Sequence, residues 1–337
     1  MFLNIMDFGA KADGVFDDTD ALIKAMDAAT KDNGTVYFPS GEYRFRPVKI
    51  PSNITLLGYA AWGYVKQQED QKRLVIKPFN TDGKALFDME GCIGTRIIGL
   101  NFDGLDMGEN FHCIYSKHPG SEQNIVFEDV RITHFSGCGI WLDGCWVFVI
   151  RRCLIILNQS HAINATKSYD GWVIDNQLSY NGGYGYFADG PDESGTATVA
   201  ITANRIEGGP GGMYLCNSNS LNITGNSFDS CNGPALTMLS CRACSITGSM
   251  IRLSGRTRDD DNCSHVRIEN SKGISFVGNS LWGWYNLEKK INSKYAFVLR
   301  NLTNSVISQN AVFEGYSEEM IKDYGGHVNS IIDNNVG

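Results

Sequence analysis

Residues 204–228 read NRIEGGPGGMYLCNSNSLNITGNSF, in which short apolar runs are separated by turns rich in Gly, Asn and Ser. The run Met213–Cys216 alternates as a β-strand does, with every second side chain on the same face. The same four-residue pattern recurs in both directions, with successive starts 23 to 31 residues apart. Its other members are Ile114–Lys117, Ile140–Asp143, Ile163–Thr166, Tyr186–Asp189, Leu236–Leu239, Val266–Glu269, Phe297–Arg300 and Met320–Asp323.

A second register accompanies this repeat, because a polar residue, most often Asn, precedes another short apolar strand in each coil. Its members are Asp129, Arg152, Asn176, Asn204, Asn226, Ser249, Asn279, Asn310 and Asn334. Asn tolerates left-handed backbone geometry and can bond the equivalent amide of the next coil, which predicts a stacked ladder. Stacked coils share a core that no single coil can form. The pattern predicts a parallel β-helix; a β-sandwich, the alternative, would show evenly spaced hairpins instead.

The opening of the chain carries a more specific signal. Residues 7–22 read DFGAKADGVFDDTDAL and residues 34–43 read GTVYFPSGEY. This opening resembles the entry segment of the pectate-lyase-like right-handed β-helix superfamily, which includes polygalacturonases, phage tailspikes, fructan transferases and alginate epimerases. The resemblance implies an all-β, single-domain fold of about ten coils over 1–337. Residues 1–50 would form the entry segment and cap, with a helix near 18–30 started by Asp17 or Asp18, and 51–337 would form the coils.

The resemblance carries over no catalytic residue. The polygalacturonase set of Asn-x-Asp, paired Asp and Gly-His-Gly is absent, and so is the Tyr-Gly-Phe-Asp-Pro-His motif of alginate epimerases. Residues 137–143 lie near the expected place of that motif but lack its Pro-His. Because this fold supports hydrolysis, elimination, epimerisation and transfer alike, the reaction has to be inferred from the outward-facing residues.

Strand alternation predicts which side chains point outward from the repeated strand. Tyr115, Trp141, Phe187 and Tyr214 fall on this outward face, and aromatic rings at coil spacing suit an oligosaccharide that lies along the axis. The alternative is that loops cover these rings and make them secondary core. Asn164, Thr166, Lys117 and Glu269 share the face and are further candidate substrate-binding residues.

Two outward carboxylates, Asp143 and Asp189, are the candidate catalytic pair. They are two coils apart, about 9.5 Å at the backbone, and inverting glycosidases separate their carboxyl groups by roughly 6.5–9.5 Å. Asp192 and Glu193 in the following loop are alternatives to Asp189. The competing interpretation is that each Asp only ends a solvated strand.

Histidines also cluster in the early coils. His161 is a candidate proton donor and His134 a candidate sugar ligand, although each is more often a structural turn residue.

Composition limits the partners. The chain has 29 Lys and Arg against 37 Asp and Glu, a net charge of −8, and lacks a long apolar run. We therefore expect an oligo- or polysaccharide substrate and neither nucleic acid nor membrane, with a homotrimer or another homo-oligomer left open. The first residues show no signal peptide, and the ten Cys are scattered rather than spaced as in a small disulfide-bonded scaffold. Together these observations predict reduced thiols and a cytoplasmic location. A trimmed leader would instead imply secretion.

Three functions remain after these considerations. The first is a glycoside hydrolase or related transferase that uses the Asp143 and Asp189 pair. The second is a polysaccharide lyase or uronate epimerase, which must neutralise a substrate carboxylate with Ca²⁺ or with Lys or Arg and also needs a base. Lys117 would suit this chemistry, but the acidic and aromatic face favours the hydrolase. The third is a non-catalytic glycan-binding fibre module. No cofactor is expected, except Ca²⁺ for a lyase.

Overall fold

The computed structural model describes residues 1–59, 73–117, 121–192, 195–257, 261–283 and 293–337. The chain is an all-β, right-handed parallel β-solenoid of about eleven turns with one short helix near the N-terminus. This confirms the predicted fold class, with about one turn more than expected. The chain divides into two compact units, Met1–Asn164 and Ala165–Gly337, and the single domain stays a prediction.

The first unit is built from three parallel sheets. Its strands are β1 (Phe2–Asn4), β2 (Asp13–Asp17), β3 (Thr35–Phe38), β4 (Gly41–Phe45), β5 (Val48–Lys49), β6 (Thr55–Gly58), β7 (Leu74–Pro78), β8 (Ala85–Asp88), β9 (Arg96–Ile98), β10 (Asn101–Asp103), β11 (His112–Lys117), β12 (Ile125–Glu128), β13 (Arg131–Thr133), β14 (Ile140–Asp143), β15 (Trp146–Arg151) and β16 (Leu154–Ile156). The sheet orders are β1-β3-β6-β9-β12-β15, β2-β4-β7-β10-β13-β16 and β5-β8-β11-β14. The unit division falls within β17 (Ile163–Thr166).

The second unit repeats this arrangement. Its strands are β18 (Tyr169–Ile174), β19 (Gln177–Ser179), β20 (Tyr186–Asp189), β21 (Ala200–Thr202), β22 (Arg205–Glu207), β23 (Met213–Cys216), β24 (Asn222–Thr224), β25 (Ser227–Asp229), β26 (Leu236–Leu239), β27 (Ser245–Thr247), β28 (Met250–Arg252), β29 (Ser264–Glu269), β30 (Ser275–Val277), β31 (Ser280–Trp282), β32 (Tyr295–Arg300), β33 (Val306–Ser308), β34 (Ala311–Phe313), β35 (Glu319–Asp323) and β36 (Ile331–Asp333). Its sheets run β18-β21-β24-β27-β30-β33-β36, β19-β22-β25-β28-β31-β34 and β20-β23-β26-β29-β32-β35.

The helix α1 (Thr19–Ala29) lies within the predicted range 18–30. Its first backbone N–H, at Thr19, donates to the carboxylate of Asp17 at 3.0 Å, so Asp17 satisfies one of the donors that a helix start leaves open. Asp18 is fully buried and instead accepts from the backbone N–H of Lys11 at 2.7 Å. The helix buries Leu22, Ala25 and Met26 on its inner face, and no helix among the described residues could span a membrane.

The core follows the predicted alternation. Every side chain assigned to the inward face of the repeated strand is fully buried, namely Ile114, Ile140, Leu142, Ile163, Ala165, Tyr186, Met213, Leu215, Leu236, Met238, Val266, Ile268, Phe297 and Leu299. All ten cysteines are described, none forms a disulfide, and nine of them are buried. Burial therefore confirms the register from Ile114 to Leu299. Its last member, Met320–Asp323, is wrong by one residue, because Phe297 pairs with Ile321 and not with Met320.

The predicted ladder exists in the second unit, with two corrections. The backbone N–H of each rung donates to a side-chain oxygen of the next rung, at 3.0 to 3.3 Å, along Asn176, Asn204, Asn226, Ser249, Asn279, Asn310 and Asn335. The last rung is thus Asn335 and not Asn334. The left-handed backbone lies one residue earlier, at Asp175, Ala203, Gly225, Gly248, Gly278, Gln309 and Asn334.

The first two predicted rungs of the ladder, Asp129 and Arg152, are wrong by one residue, as Asn334 is. Asp129 and Arg152 have positive φ angles of 53° and 55°, so they are the left-handed residues and not the rungs. The residues that follow them, Val130 and Cys153, are buried in the core. At these two turns of the first unit the rung position is therefore occupied by an apolar or sulfur side chain.

Candidate active site

Two adjacent strands of the first unit, β11 and β14, bring four of the predicted residues together. Their parallel register pairs Tyr115 with Trp141 and Lys117 with Asp143. The rings of Tyr115 and Trp141 meet edge to face with centroids 5.3 Å apart. The sequence-based alignment of the repeat therefore places these four residues correctly relative to one another.

Lys84, which sequence analysis missed, completes this group. Its Nζ lies 3.5 Å from the ring centroid of Tyr115 and 4.1 Å from that of Trp141, a favourable cation–π arrangement. Desolvation lowers the pKa of Lys84, while Asp143 acts in the opposite direction and Lys117 adds to the lowering. Lys84 precedes β8, whose Ala85 pairs with His112; it belongs to the turn before the repeated strand, where the repeat pattern gives no signal.

The second cation, Lys117, pairs with a carboxylate. Its Nζ lies 3.6 Å from the Asp143 carboxylate, and the side chains of Lys117 and Asp143 are 48% and 27% exposed. Tyr115, by contrast, is only 4% exposed, so the expectation of an exposed ring is wrong there, because Lys84 and Trp141 cover it. Burial first, and then Asp143, raise the pKa of Tyr115, which keeps its phenol protonated at neutral pH.

His112 supports Trp141 from the buried side. It is 2% exposed, and its ring meets that of Trp141 at 4.8 Å between centroids. Its Nδ1 accepts from the backbone N–H of Cys138 at 2.7 Å, and burial lowers its pKa to about 4; the neutral ring therefore carries its proton on Nε2. A Cβ on Gly137 would come within 2.4 Å of Nδ1, so only glycine fits there.

Neither Nε2 of His112 nor Nε1 of Trp141 has a hydrogen-bond partner among the described residues. Buried N–H donors are nearly always satisfied in folded proteins, and exceptions often mark functional sites. The group formed by Lys84, Lys117, Tyr115, Trp141 and Asp143 is called the lysine–aromatic site below. It combines two cations, one carboxylate and a protonated phenol on neighbouring strands.

The other predicted residues of the first unit lie apart from this group or are only partly exposed. His134 follows β13, in a different sheet, where its Nδ1 lies 3.2 Å from the Asp103 carboxylate. His161 precedes β17, and burial lowers its pKa to about 4; it acts electrostatically on His112. Asn164 lies within β17 and is partly exposed.

In the second unit, two predicted sugar platforms stack on each other. The rings of Phe187 and Tyr214 lie 5.3 Å apart with an interplanar angle of 15°. Tyr184, which sequence analysis missed, joins them at 5.9 Å and 5.3 Å. It belongs to the turn before β20, and the repeat pattern alone gives no signal for such turn residues.

The carboxylates of the second unit have contrasting surroundings. Asp189 is exposed and pairs in register with Cys216, whose pKa is raised to about 11 by burial and by Asp189. Asp192 is exposed, whereas Glu269 is 6% exposed and bound to Arg267 at 2.7 Å. Thr166, a predicted substrate-binding residue that also belongs to the second unit, is partly exposed.

Glu193 lies outside the described residues. Asp143 and Asp189 belong to different units, so their catalytic pairing stays a prediction. Among the described ranges, no three His, Cys, Asp or Glu side chains form a group that could hold a metal ion.

A model of the family described as rhamnogalacturonase A/epimerase, pectate lyase-like matches residues 2–233. The chain belongs to this pectate lyase-like family. Alginate lyase 7 of Azotobacter vinelandii is 64% identical over 203 residues, covering 54% of this chain and 23% of that protein. Mannuronan C5-epimerase AlgE6 of the same organism is 28% identical over 193 residues, covering 53% of the chain and 21% of the epimerase. The chain thus spans less than a quarter of the length of these curated relatives.

Solved structures agree on the fold of this pectate lyase-like chain. The A-module of Azotobacter vinelandii mannuronan C-5 epimerase AlgE6 superposes with a TM-score of 0.70 at 19% identity, covering 99% of both chains. The two curated relatives are named as an alginate lyase and a mannuronan C5-epimerase, and neither is named as a glycoside hydrolase.

Proposed function

We propose that this chain is the β-helical part of a polysaccharide lyase or C5-epimerase that acts on a polyuronate of the alginate class. The observation that carries the proposal is the lysine–aromatic site, where Lys84 and Lys117 approach the same half-buried carboxylate, Asp143. A two-carboxylate hydrolase does not need two lysines at this position, whereas a polyuronate enzyme can use one to neutralise the substrate carboxylate and the other as a base. The similarity to an alginate lyase and to mannuronan epimerases supports the same substrate class.

Both reactions begin by removing the proton on C5, next to the sugar carboxylate. That proton becomes acidic only when the negative charge developing on the carboxylate is stabilised by cations or donors. Lys117, whose Nζ lies 3.6 Å from the Asp143 carboxylate, is the cation in this proposal. The unpartnered N–H groups of His112 and Trp141 are further donors for an oxygen-rich ligand.

Lys84 is the base in this proposal. Desolvation lowers its pKa, which increases the fraction of neutral amine at moderate pH and so favours proton abstraction. The amine nitrogen takes the C5 proton. In a lyase the C5–H electron pair then forms the C4–C5 double bond as the C4–O bond breaks, and the phenol of Tyr115 protonates the departing oxygen. In an epimerase the C4–O bond stays intact, and a water molecule on the opposite face returns a proton to C5 while Lys84 later loses its proton to the hydroxide formed.

Product analysis on polymannuronate tests the reaction class. A lyase yields ultraviolet-absorbing unsaturated ends, and an epimerase inverts C5 without new ends, which proton NMR detects. New reducing ends without unsaturation would establish the hydrolase instead. If no product forms from any of an array of glycans, the non-catalytic glycan-binding module is the remaining hypothesis. Dialysis against a chelator before the assay tests the Ca²⁺ requirement predicted for a lyase.

The assignment to the lysine–aromatic site is tested by Lys84→Met and Lys117→Met. Each should lower turnover by at least about 10². Lys31→Met is the matched control, because Lys31 is exposed in the turn after α1, on a different part of the coil. Full activity in both site variants would overturn the assignment while leaving the reaction class to the product analysis.

A further inference from the structure

A cleft of about 630 Å³ in the second unit has no role in the reaction proposed above. It lies along the turns that precede the strands β20, β23, β26 and β29. Besides glycine and proline backbone, its walls include Asn181, Tyr184, Asn232, Thr257 and Asn262. Its volume is within the roughly 300–1,000 Å³ of typical small-molecule sites, and none of its lining residues in the described part of the chain is acidic.

Two arginines fix the orientation of two amides in this cleft. Arg256 donates to Oδ1 of Asn232 at 3.3 Å, and Arg267 donates to Oδ1 of Asn262 at 3.0 Å. Because each amide turns its oxygen toward a guanidinium, its NH₂ group points away from that guanidinium. Arg256 is exposed and also donates to the neutral backbone oxygen of Ser230 at 2.6 Å. Both NH₂ groups therefore face away from a guanidinium, and Arg256 places a positive charge beside Asn232.

The aromatic wall of the cleft is Tyr184. A Cβ on Gly211 would come within 2.4 Å of its ring, so the glycine leaves space for the ring to lie in this position. The ring also contacts Phe187 and Tyr214, which restrict its movement. Two carboxylates of the same coil are already engaged, since Asp261 accepts from Tyr324 at 2.7 Å and Glu269 is paired with Arg267.

We propose that this cleft is an accessory binding site for a carboxylated sugar residue of an acidic oligosaccharide. The sugar ring lies against Tyr184, and its carboxylate accepts from Arg256 and from the NH₂ groups of Asn232 and Asn262. The ligand class rests on the proposed function, but binding here requires no turnover. The site would hold a polyuronate at a second position, within the second unit.

The test uses a charge change that keeps the local structure. Asn232→Asp retains an oxygen for Arg256 but replaces the donor NH₂ with a carboxylate oxygen, so it repels an acidic ligand. Asn270→Asp is the matched control: Asn270 is exposed, lies outside the cleft, and likewise accepts a side-chain hydrogen bond through Oδ1, from Asn301 at 2.8 Å. Both variants add one negative charge to the whole chain.

Affinity for saturated oligomannuronate is measured by calorimetry, with a neutral gluco-oligosaccharide as the second probe. Hydrogen exchange of peptides containing residues 181–184 and 232–234 locates the bound sugar. We expect exchange to slow at both peptides, and Asn232→Asp to weaken acidic binding by about tenfold or more, as for a lost charge-assisted hydrogen bond, while Asn270→Asp leaves it unchanged. Unaltered exchange, equal effects of the two variants, or equal binding of the neutral probe would overturn the proposal.

Turnover of polymannuronate, measured in parallel, separates this inference from the proposed function. If the wild-type protein shows no lyase or epimerase product but Asn232→Asp still weakens acidic binding, the proposed function fails and the cleft stands. If products form normally and the cleft peptides show no protection, the cleft fails and the proposed function stands.

Discussion

Single residues in the lysine–aromatic site show how one side chain can alter several others. Lys84 places an ammonium over two rings, and this contact both buries Tyr115 and desolvates the amine itself. Desolvation disfavours the charged form of a lysine and the charged form of a tyrosine. The same contact therefore moves the two pKa values in opposite directions, as a base and an acid in one reaction require.

The pH dependence of turnover should report the base. Because Lys84 works as a neutral amine, kcat/KM should rise with pH through a pKa below 10.5, the ordinary value for lysine. Lys84→Arg keeps the positive charge but not the base, so it should lower kcat by about 10²–10⁴ and remove this limb of the profile.

Lys117→Arg is the companion variant. Because Lys117 only neutralises charge in the proposed reaction, its replacement by arginine should lower kcat less than Lys84→Arg does. An unchanged pH profile in Lys84→Arg would show that another group accepts the proton.

Trp141 should act mainly on binding. Trp141→Ala removes the ring on which a sugar would lie, so KM should rise by about tenfold or more with a smaller change in kcat. Steady-state kinetics of Trp141→Ala is compared with that of Trp172→Ala, whose ring is 44% exposed on a different sheet. A selective fall in kcat for Trp141→Ala would instead place the indole in the chemical step.

At the scale of elements, each turn of the ladder combines a left-handed residue with a buried rung. In the second unit the rung is nearly always Asn, whose NH₂ also donates to backbone carbonyls, as Asn226 does to Ile201 at 2.8 Å. The side chain thus replaces the hydrogen bonds that a tight turn interrupts. At Val130 and Cys153 of the first unit, buried apolar or sulfur side chains take this place.

Replacing one rung should therefore be costly. Asn226→Ala leaves the backbone N–H of Asn204 and two carbonyls without their partner, and should lower the free energy of unfolding by about 1–3 kcal/mol. Denaturant unfolding is compared with Asn222→Ala, an exposed position four residues earlier. Equal stability of the two variants would mean that water replaces the lost bonds.

The ladder also shows where the sequence is informative and where it is not. The coil period, the inward side chains and the helix could be predicted, because periodic burial leaves its mark on residue type. The left-handed positions could not, since Ala203 and Gln309 occupy them as readily as Gly225. Lys84 and Tyr184 were missed because they belong to turns before the strands, where no alternation constrains the residue type and the contact is made by a long side chain.

At the scale of the whole molecule, buried titratable groups link the fold to pH. His265 is 1% exposed, and neither of its ring nitrogens has a hydrogen-bond partner among the described residues. Burial lowers its pKa to about 4 from 6.5. Between these two values the unfolded chain binds more protons than the folded one, so stability falls as the pH drops from 6.5 to 4 and then levels off for this group.

His265→Phe should abolish the part of the acid-induced loss of stability that comes from this histidine, while it keeps a ring in the core. The pKa of His265 differs by about 2.5 between the unfolded and the folded chain, which corresponds to about 3 kcal/mol in the free energy of unfolding. Denaturant unfolding of wild type and variant is measured at pH 7.5 and at pH 4, and the stability gap between the two pH values should be smaller in the variant. An equal gap would show that His265 is not the group that resists protonation.

The uneven spacing of the coils bears on how the chain finds its partner strands while folding. Bonded rungs are separated by 22 residues between Asn204 and Asn226 but by 31 between Asn279 and Asn310. Closing loops of such similar length costs nearly the same entropy, so nucleation can begin at many neighbouring pairs. The unequal lengths mean that a strand pairing with the wrong coil would displace later strands from their turns. The different coil lengths therefore distinguish otherwise equivalent strands and disfavour pairing between the wrong coils.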